Sequence, residues 1–320
     1  MIKSIRISCV KDFGCFNEYT APLGIWKVSQ SQTFDIIHMH TRMDSILFWK
    51  RSKVKYIFES HGFHPGISFR YAWLFTESWG KRLILILCYP LFQVCFWYNI
   101  RRMDRYYVSI PGIAAYLKGN YDARWLPNPV DTELFQRRSS CLRLDPHKVN
   151  IFYPTGFRKI KNSEFALALM LQLQEKYPTI CFYLIKTHTQ HLKPYLPALR
   201  KLEKNIVWIE KVPREEMASY YSAEWDCVLG SFFPEKWYAI LNMIELEAMA
   251  CKAPVLGHDL YEVLFEPLEN MFALACKLIE DTRFKAEYIQ RNYNYVLATH
   301  SLAVVAKHYE ADLKSLYTSP

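Results

Sequence analysis

Val149–Pro178 reads VNIFYPTGFRKIKNSEFALALMLQLQEKYP. It opens with Val149–Tyr153, apolar except for Asn150, as expected of a parallel strand buried on both faces. A polar turn follows, Gly156, Phe157, Arg158, Lys159, Ile160, Lys161 and Asn162. Ser163 is a good N-cap, apolar residues then recur at helical spacing to Tyr177, and Pro178 closes the helix. The next apolar run, Ile180–Ile185, begins directly afterwards. Outward from this βα unit the same alternation continues. Phe34–Met39, Val54–Phe58 and Tyr106–Ser109 read as strands before it, and Ile206–Ile209 and Cys227–Gly230 after it. Ile244–Ala250 and Phe272–Tyr295 carry helix patterns. Strand–helix alternation over the whole length predicts doubly wound parallel sheets.

A chain of 320 residues suits two such domains. The segment Phe135–Val149, FQRRSSCLRLDPHKV, is polar, charged and contains Pro146, and a strand starts at its end. The predicted division is therefore 1–145 and 146–320, with the last helices, through Tyr309–Tyr317, crossing back to the first domain. GxGxxG, GxxxxGK[ST] and GxSxG are all absent, which argues against dehydrogenase, P-loop and α/β-hydrolase readings. The net charge of +9 suits anionic partners such as nucleotide phosphates, nucleic acid or an acidic membrane, and charge alone does not choose among them. Nine cysteines without a CxxC pair read as buried free thiols of a reducing compartment. The N-terminus lacks an apolar core of signal-peptide length, so a cytoplasmic protein is expected. One run, Leu83–Tyr98, LILILCYPLFQVCFWY, is about 16 residues long, short of the roughly 20 that span a bilayer. Pro90 interrupts it, and Lys81, Arg82, Arg101 and Arg102 flank it. It reads either as a helix attached to a membrane surface or as a core helix.

In doubly wound sheets ligands bind beyond the carboxyl ends of the strands. Residues at such ends are His40 and Thr41; Glu59, Ser60, His61 and Gly62; Gly156 to Asn162; and Ser231. Four stretches here resemble the retaining GT-B glycosyltransferases. FDIIHMH resembles that family's D-x-x-H-x-H strand, ESHG its histidine-glycine turn, and LPNPVDTELF (Leu126–Phe135) its inter-domain segment. IELEAMACKAPVLGHD (Ile244–Asp259) is similar to its EAMACGxPV helix start. The resemblance covers about nine tenths of the chain.

The resemblance implies a GT-B fold, two Rossmann-like domains facing a cleft. It implies transfer of a sugar from a nucleoside-diphosphate donor to a glycan-, lipid- or protein-linked acceptor, with retention. An Arg and a Lys of the loop after the first strand of the second domain hold the diphosphate in the family. Here they are Arg158 and Lys161, with Lys159 a rival. Glu247 takes the place of the Glu that accepts hydrogen bonds from the ribose hydroxyls. Ser231 and Ala248 join it as donor-side positions. His61 stands where the family's catalytic histidine meets the donor sugar, with His40 and Gly62 on the acceptor side. Retaining transfer passes through an oxocarbenium-like state, and catalysis would be positioning and charge stabilisation of the leaving diphosphate. No metal and no cofactor are expected, the nucleotide sugar being a substrate. Nucleic acid is not expected as a partner.

Three departures stand out. Ala239 occupies the place of the first Glu of an E-x7-E pair, Lys252 that of the glycine in EAMACG, and the glycine-rich N-terminal loop is missing, Asp12-Phe13-Gly14 after Ile5–Val10 being the nearest remnant. They keep a second class open, a degenerate nucleotide-binding subunit without turnover. A GT-B nucleotide-sugar epimerase is a third, and it needs an acid–base carboxylate pair that the sequence does not offer.

Overall fold

The computed structural model describes residues 35–39, 54–60, 79–117, 122–157, 161–186, 192–232, 242–257 and 267–318. The chain divides into two compact units, Met1–Leu126 with Leu313–Pro320, and Pro127–Asp312.

The described part of the first unit contains β1 (Ile36–Met39), β2 (Lys55–Ser60), α1 (Trp79–Ile100), β3 (Arg105–Val108), α2 (Pro111–Leu117) and β4 (Ala123–Trp125). The strands are parallel, in the order β1-β2-β3-β4. Aromatic pairing fixes the middle of this sheet. Phe58 lies opposite Tyr106 and the two rings stack at 5.4 Å, while Phe96 of α1 meets Tyr106 edge-on at 6.3 Å.

The second unit contains β5 (Val149–Tyr153), α3 (Ser163–Lys176), β6 (Ile180–Ile185), α4 (Leu196–Leu202), β7 (Ile206–Ile209), α5 (Met217–Tyr221), β8 (Cys227–Leu229), α6 (Met243–Ala250), β9 (Val255–Leu256), α7 (Leu268–Glu280), α8 (Thr282–Tyr295) and α9 (Leu302–Thr318), whose residues from Leu313 onward group with the first unit. Its strands are all parallel, in the order β7-β6-β5-β8-β9. The apolar run of β5 has its explanation in the two cores. Ile151 and Tyr153 enter one with α3, α4 and α7. Phe152, between them, enters the other with α5 and α6. Alternate side chains leave opposite faces of a strand, so a sheet covered on both sides is apolar on both, and the one buried polar residue of β5, Asn150, donates through Nδ2 to the carbonyls of Asp145 and Lys148.

Several expectations change. The division falls after Leu126, not at 145/146, because Val130 and Phe135 are fully buried in the second core and Val130 N donates to His300 O at 2.7 Å. The polar stretch that suggested a linker is surface of the second unit. The helix expected over Phe272–Tyr295 is two helices, since the Asp281 side chain caps α8 by accepting from Phe284 N at 2.9 Å. Ser163 is the first residue of α3, not its cap. Asn162 precedes it in the left-handed region at φ 50, which asparagine tolerates better than most residues. Strands β4 and β9, of three and two residues, are too short to carry a periodic signal. All seven described cysteines are free, five of them buried and Cys141 exposed. The stretches Ile5–Val10 and Asp12–Gly14 lie outside the described residues.

The lysine in EAMACK sits where α6 ends. Lys252 N donates to Met249 O at 2.9 Å and Ala253 N to Ala248 O at 3.0 Å, which is a Schellman ending and puts Lys252 in the left-handed region at φ 60. Glycine enters that region without a Cβ clash, whereas lysine is strained there. The Lys252 ammonium lies 4.6 Å from the Tyr293 ring centroid, a partial compensation. Lys252→Gly is expected to stabilise the chain by about 0.5–1 kcal/mol, read as a raised denaturation midpoint. A lowered midpoint would mean that the contact with Tyr293 outweighs the strain.

Candidate functional site

In the second unit β5 leads through α3 to β6 on one side, and β8 leads through α6 to β9 on the other. The strand order therefore reverses between β5 and β8, and the loops at their carboxyl ends part around a crevice. That is where open α/β sheets take ligands. The described residues 154–157 and 161–162 after β5 and 230–232 after β8 flank it, and a hydrogen bond ties them together, Phe232 N to Lys161 O at 3.3 Å.

A buried carboxylate organises the β8 side. Glu245 Oε1 accepts from Ser231 N at 2.7 Å and Oε2 from Asn242 N at 3.0 Å. Asn242 in return caps α6 by accepting from Ile244 N at 3.1 Å and donates through Nδ2 to Ser231 Oγ at 3.0 Å. The reciprocal pair is a capping box, reading Asn-x-x-Glu where Ser or Thr is commoner. Burial pushes the Glu245 carboxyl up to about 7, against the lowering pull of the two backbone N–H groups and of the Lys161 charge. Only glycine fits against this carboxylate at position 230. A Cβ there would lie 2.8 Å from Glu245 Cγ and 2.9 Å from Cδ.

Glu247, one turn into α6, is buried and meets Arg214. Arg214 Nε lies 3.0 Å and Nη2 2.9 Å from the same oxygen, Glu247 Oε1. Burial raises the Glu247 carboxyl and the Arg214 hydrogen bonds and charge oppose the rise. Because the guanidinium is 56% exposed, the pair is worth on the order of 1 kcal/mol and not the larger figure of a dry ion pair. The guanidinium also lies over the Phe135 ring, 5.4 Å from its centroid. Three separate stretches thus meet at Arg214: PNPVDTELF, the turn after β7, and EAMAC.

The structure brings Lys161, Ser231, Glu247 and Ala248 to the two elements that bound the switch point. Ser231 and Ala248 are buried, and the Ser231 hydroxyl is engaged by Asn242. Arg158, Lys159, Ala239, His40, His61 and Gly62 lie outside the described residues. In the first unit Glu59 and Ser60 belong to β2 itself and do not follow it, and Glu59 Oε2 lies 3.3 Å from His38 Nε2. Two further residues emerge that the sequence reading did not name. Arg214 begins the short helical turn that follows β7, so its place beyond the carboxyl end of Ile206–Ile209 is the signal that marks it. Thr155 lies just past β5, and its hydroxyl is buried with no hydrogen-bond partner among the described residues. Among the described residues no cluster of three His, Cys, Asp or Glu side chains could hold a metal ion.

No protein-family model matches the chain, and no curated protein sequence does. Solved structures do. The chain is similar to HepE of Anabaena in complex with UDP, with a TM-score of 0.64 and 11% identity over 92% of this chain and 82% of HepE. It is similar to a glycosyltransferase from Rickettsia africae, with a TM-score of 0.62 and 13% identity over 98% of this chain and 84% of that one. It is similar to TarM of S. aureus, with a TM-score of 0.62 and 11% identity over 92% of this chain and 57% of TarM. These neighbours are GT-B glycosyltransferases, and HepE has also been crystallised with UDP-glucose. At such identities the likeness shows the fold, and the fold is GT-B, built from Rossmann-like α/β units with parallel sheets.

Proposed function

We propose that the chain transfers a sugar from a nucleoside-diphosphate donor to a glycan or lipid-linked acceptor, with retention of configuration and without a metal ion. One observation carries the reading. Both Arg214 contacts fall on Glu247 Oε1, and among the described residues Oε2 accepts no hydrogen bond. An open carboxylate oxygen on a largely buried side chain, beside a sheet's switch point, suits the hydroxyls of a ribose, which can donate to it. Lys161 and Arg158, on the loop after β5, would then neutralise the diphosphate. A phosphate oxygen there would also satisfy the buried Thr155 hydroxyl. In the transfer the bond from the anomeric carbon to the diphosphate breaks and one to the acceptor oxygen forms on the same face. The acceptor's proton passes to the leaving diphosphate, whose charge the two cations stabilise.

UDP is the probe of choice, since HepE takes it. Arg158→Ala and Lys161→Ala should each weaken UDP binding by about 10–100-fold, the scale of a charge-assisted hydrogen bond. Calorimetry showing unchanged affinity in both variants removes this loop from the site. Incubation of the wild type with common nucleotide sugars separates an enzyme from a degenerate binder. Slow hydrolysis or transfer is expected, and tight UDP binding with no turnover of any donor would favour the binder.

A further inference from the structure

Helix α1 leaves an apolar stripe uncovered. Leu83, Leu87, Leu91 and Val94 are each more than half exposed, with Ile84 beside them. Their spacing of four, four and three residues lines them along one face of the helix. Soluble proteins rarely expose so many adjacent large aliphatic side chains without a partner.

The ends of the stripe say what that partner is. At the first end Trp79 is exposed and the Arg82 guanidinium lies over its ring at 5.3 Å. At the other, Arg102 lies over the Tyr98 ring at 5.1 Å and donates from Nη1 to the Tyr98 hydroxyl at 2.9 Å. Arg101 is exposed beside it. No acidic residue occurs from Trp79 to Met103, whereas Lys81, Arg82, Arg101 and Arg102 are all basic. An apolar face flanked at both ends by aromatic rings and cations suits a helix lying in the polar interface, its aliphatic side chains turned to the hydrocarbon and its flanking cations among anionic headgroups. A second protein would need no such arrangement of cations at both ends.

Length decides between lying on the bilayer and crossing it. Arg82–Ile100 is long and apolar enough to cross by composition, with 25% of it buried. Yet the last turns belong to the core of the first unit, where Cys95, Phe96, Asn99 and Ile100 are buried and Phe96 packs on Tyr106 of β3. The free part, Leu83–Val94, is about 18 Å long at 1.5 Å per residue, well short of a hydrocarbon core of about 30 Å.

We propose that the exposed stripe of α1 docks the chain on a membrane rich in anionic phospholipid, with the helix lying in the interface plane. The test is flotation of the full chain with vesicles of phosphatidylcholine and phosphatidylglycerol, beside vesicles of phosphatidylcholine alone. The wild type floats with the anionic vesicles at low salt and less with the neutral ones. The double variant Leu87→Glu/Leu91→Glu, at two exposed positions that leave the core intact, partitions at least about 10-fold more weakly. Arg82→Ala/Arg101→Ala weakens binding to the anionic vesicles by about 5-fold per residue and leaves binding to neutral ones unchanged. Far-UV spectra and UDP affinity, unchanged in both variants, show that folding and the nucleotide site are unaffected. A wild type that stays at the bottom with anionic vesicles, or a Leu87→Glu/Leu91→Glu variant that floats equally well, overturns the proposal. So does light scattering that reports a wild-type dimer dissolved by the leucine substitutions, in the absence of flotation.

Discussion

Gly230→Ala is expected to cost the chain about 3 kcal/mol. The added Cβ would lie 2.8 Å from Glu245 Cγ and 2.9 Å from Cδ, well inside van der Waals contact. Glu245 has little room to retreat, since it is 1% exposed and held by Ser231 N and Asn242 N. If it moves, two buried N–H groups lose their acceptor and α6 loses half of its capping box. Over-packing contributes about 1–3 kcal/mol and an unsatisfied buried group a similar amount. Gly257→Ala is the control, because its Cβ would meet the same carboxylate at 3.4 Å, ordinary contact, and it should cost less than about 1 kcal/mol. Denaturation of the two variants beside the wild type reads the difference. Equal midpoints for all three would show that Glu245 does not fill the space behind β8.

The other large effect falls on the nucleotide and on turnover separately. Glu247→Ala should lower UDP affinity by about 10–100-fold, the loss of hydrogen bonds to a charged acceptor. Arg214→Ala is the informative companion. It leaves Glu247 in place but without a counter-charge, so its carboxyl titrates higher still, burial then acting unopposed. If Arg214 only orients the carboxylate, UDP affinity should fall by less than about 5-fold at pH 8, and the deficit relative to wild type should grow as the pH is lowered, since the unpaired carboxyl takes up its proton earlier and can then no longer accept. His61→Ala should do the opposite of Glu247→Ala. It should leave UDP affinity near the wild-type value, since the proposed nucleotide contacts all lie in the second unit, and lower donor turnover by about 10²–10³-fold. Calorimetry and donor hydrolysis on the same preparations give both numbers. Unchanged UDP affinity in Glu247→Ala would sink the ribose assignment and, with it, the main support for the nucleotide-sugar reading.

The sequence alone determined the alternation of β and α elements and the parallel sheets. Val149–Tyr153, Ile180–Ile185 and Ile206–Ile209 are strands to the residue, because short runs rich in β-branched and aromatic residues, bounded by polar and turn-forming ones, mark strands in the sequence. It also determined which loops to inspect, since strand ends follow from strand positions. What it left open depends on partners distant in the chain. Polar composition suggested a linker at 135–149, but Val130 and Phe135 are held in the second core and Val130 is bonded to His300, so only the contacts could place the boundary. The Lys252 departure looked like a damaged motif. The Schellman ending shows that the position needs a left-handed backbone, which lysine adopts at a cost but without loss of the helix end. Glu245 and Glu247 are two residues apart in one helix, yet their surroundings differ entirely. One is sealed against Gly230 and the backbone N–H groups of Ser231 and Asn242, the other is paired with Arg214 from a turn 33 residues earlier. Spacing along the chain fixes which face of a helix a carboxylate leaves from, but its charge and its freedom to bind are set by whatever the topology brings against that face, and no local pattern records it.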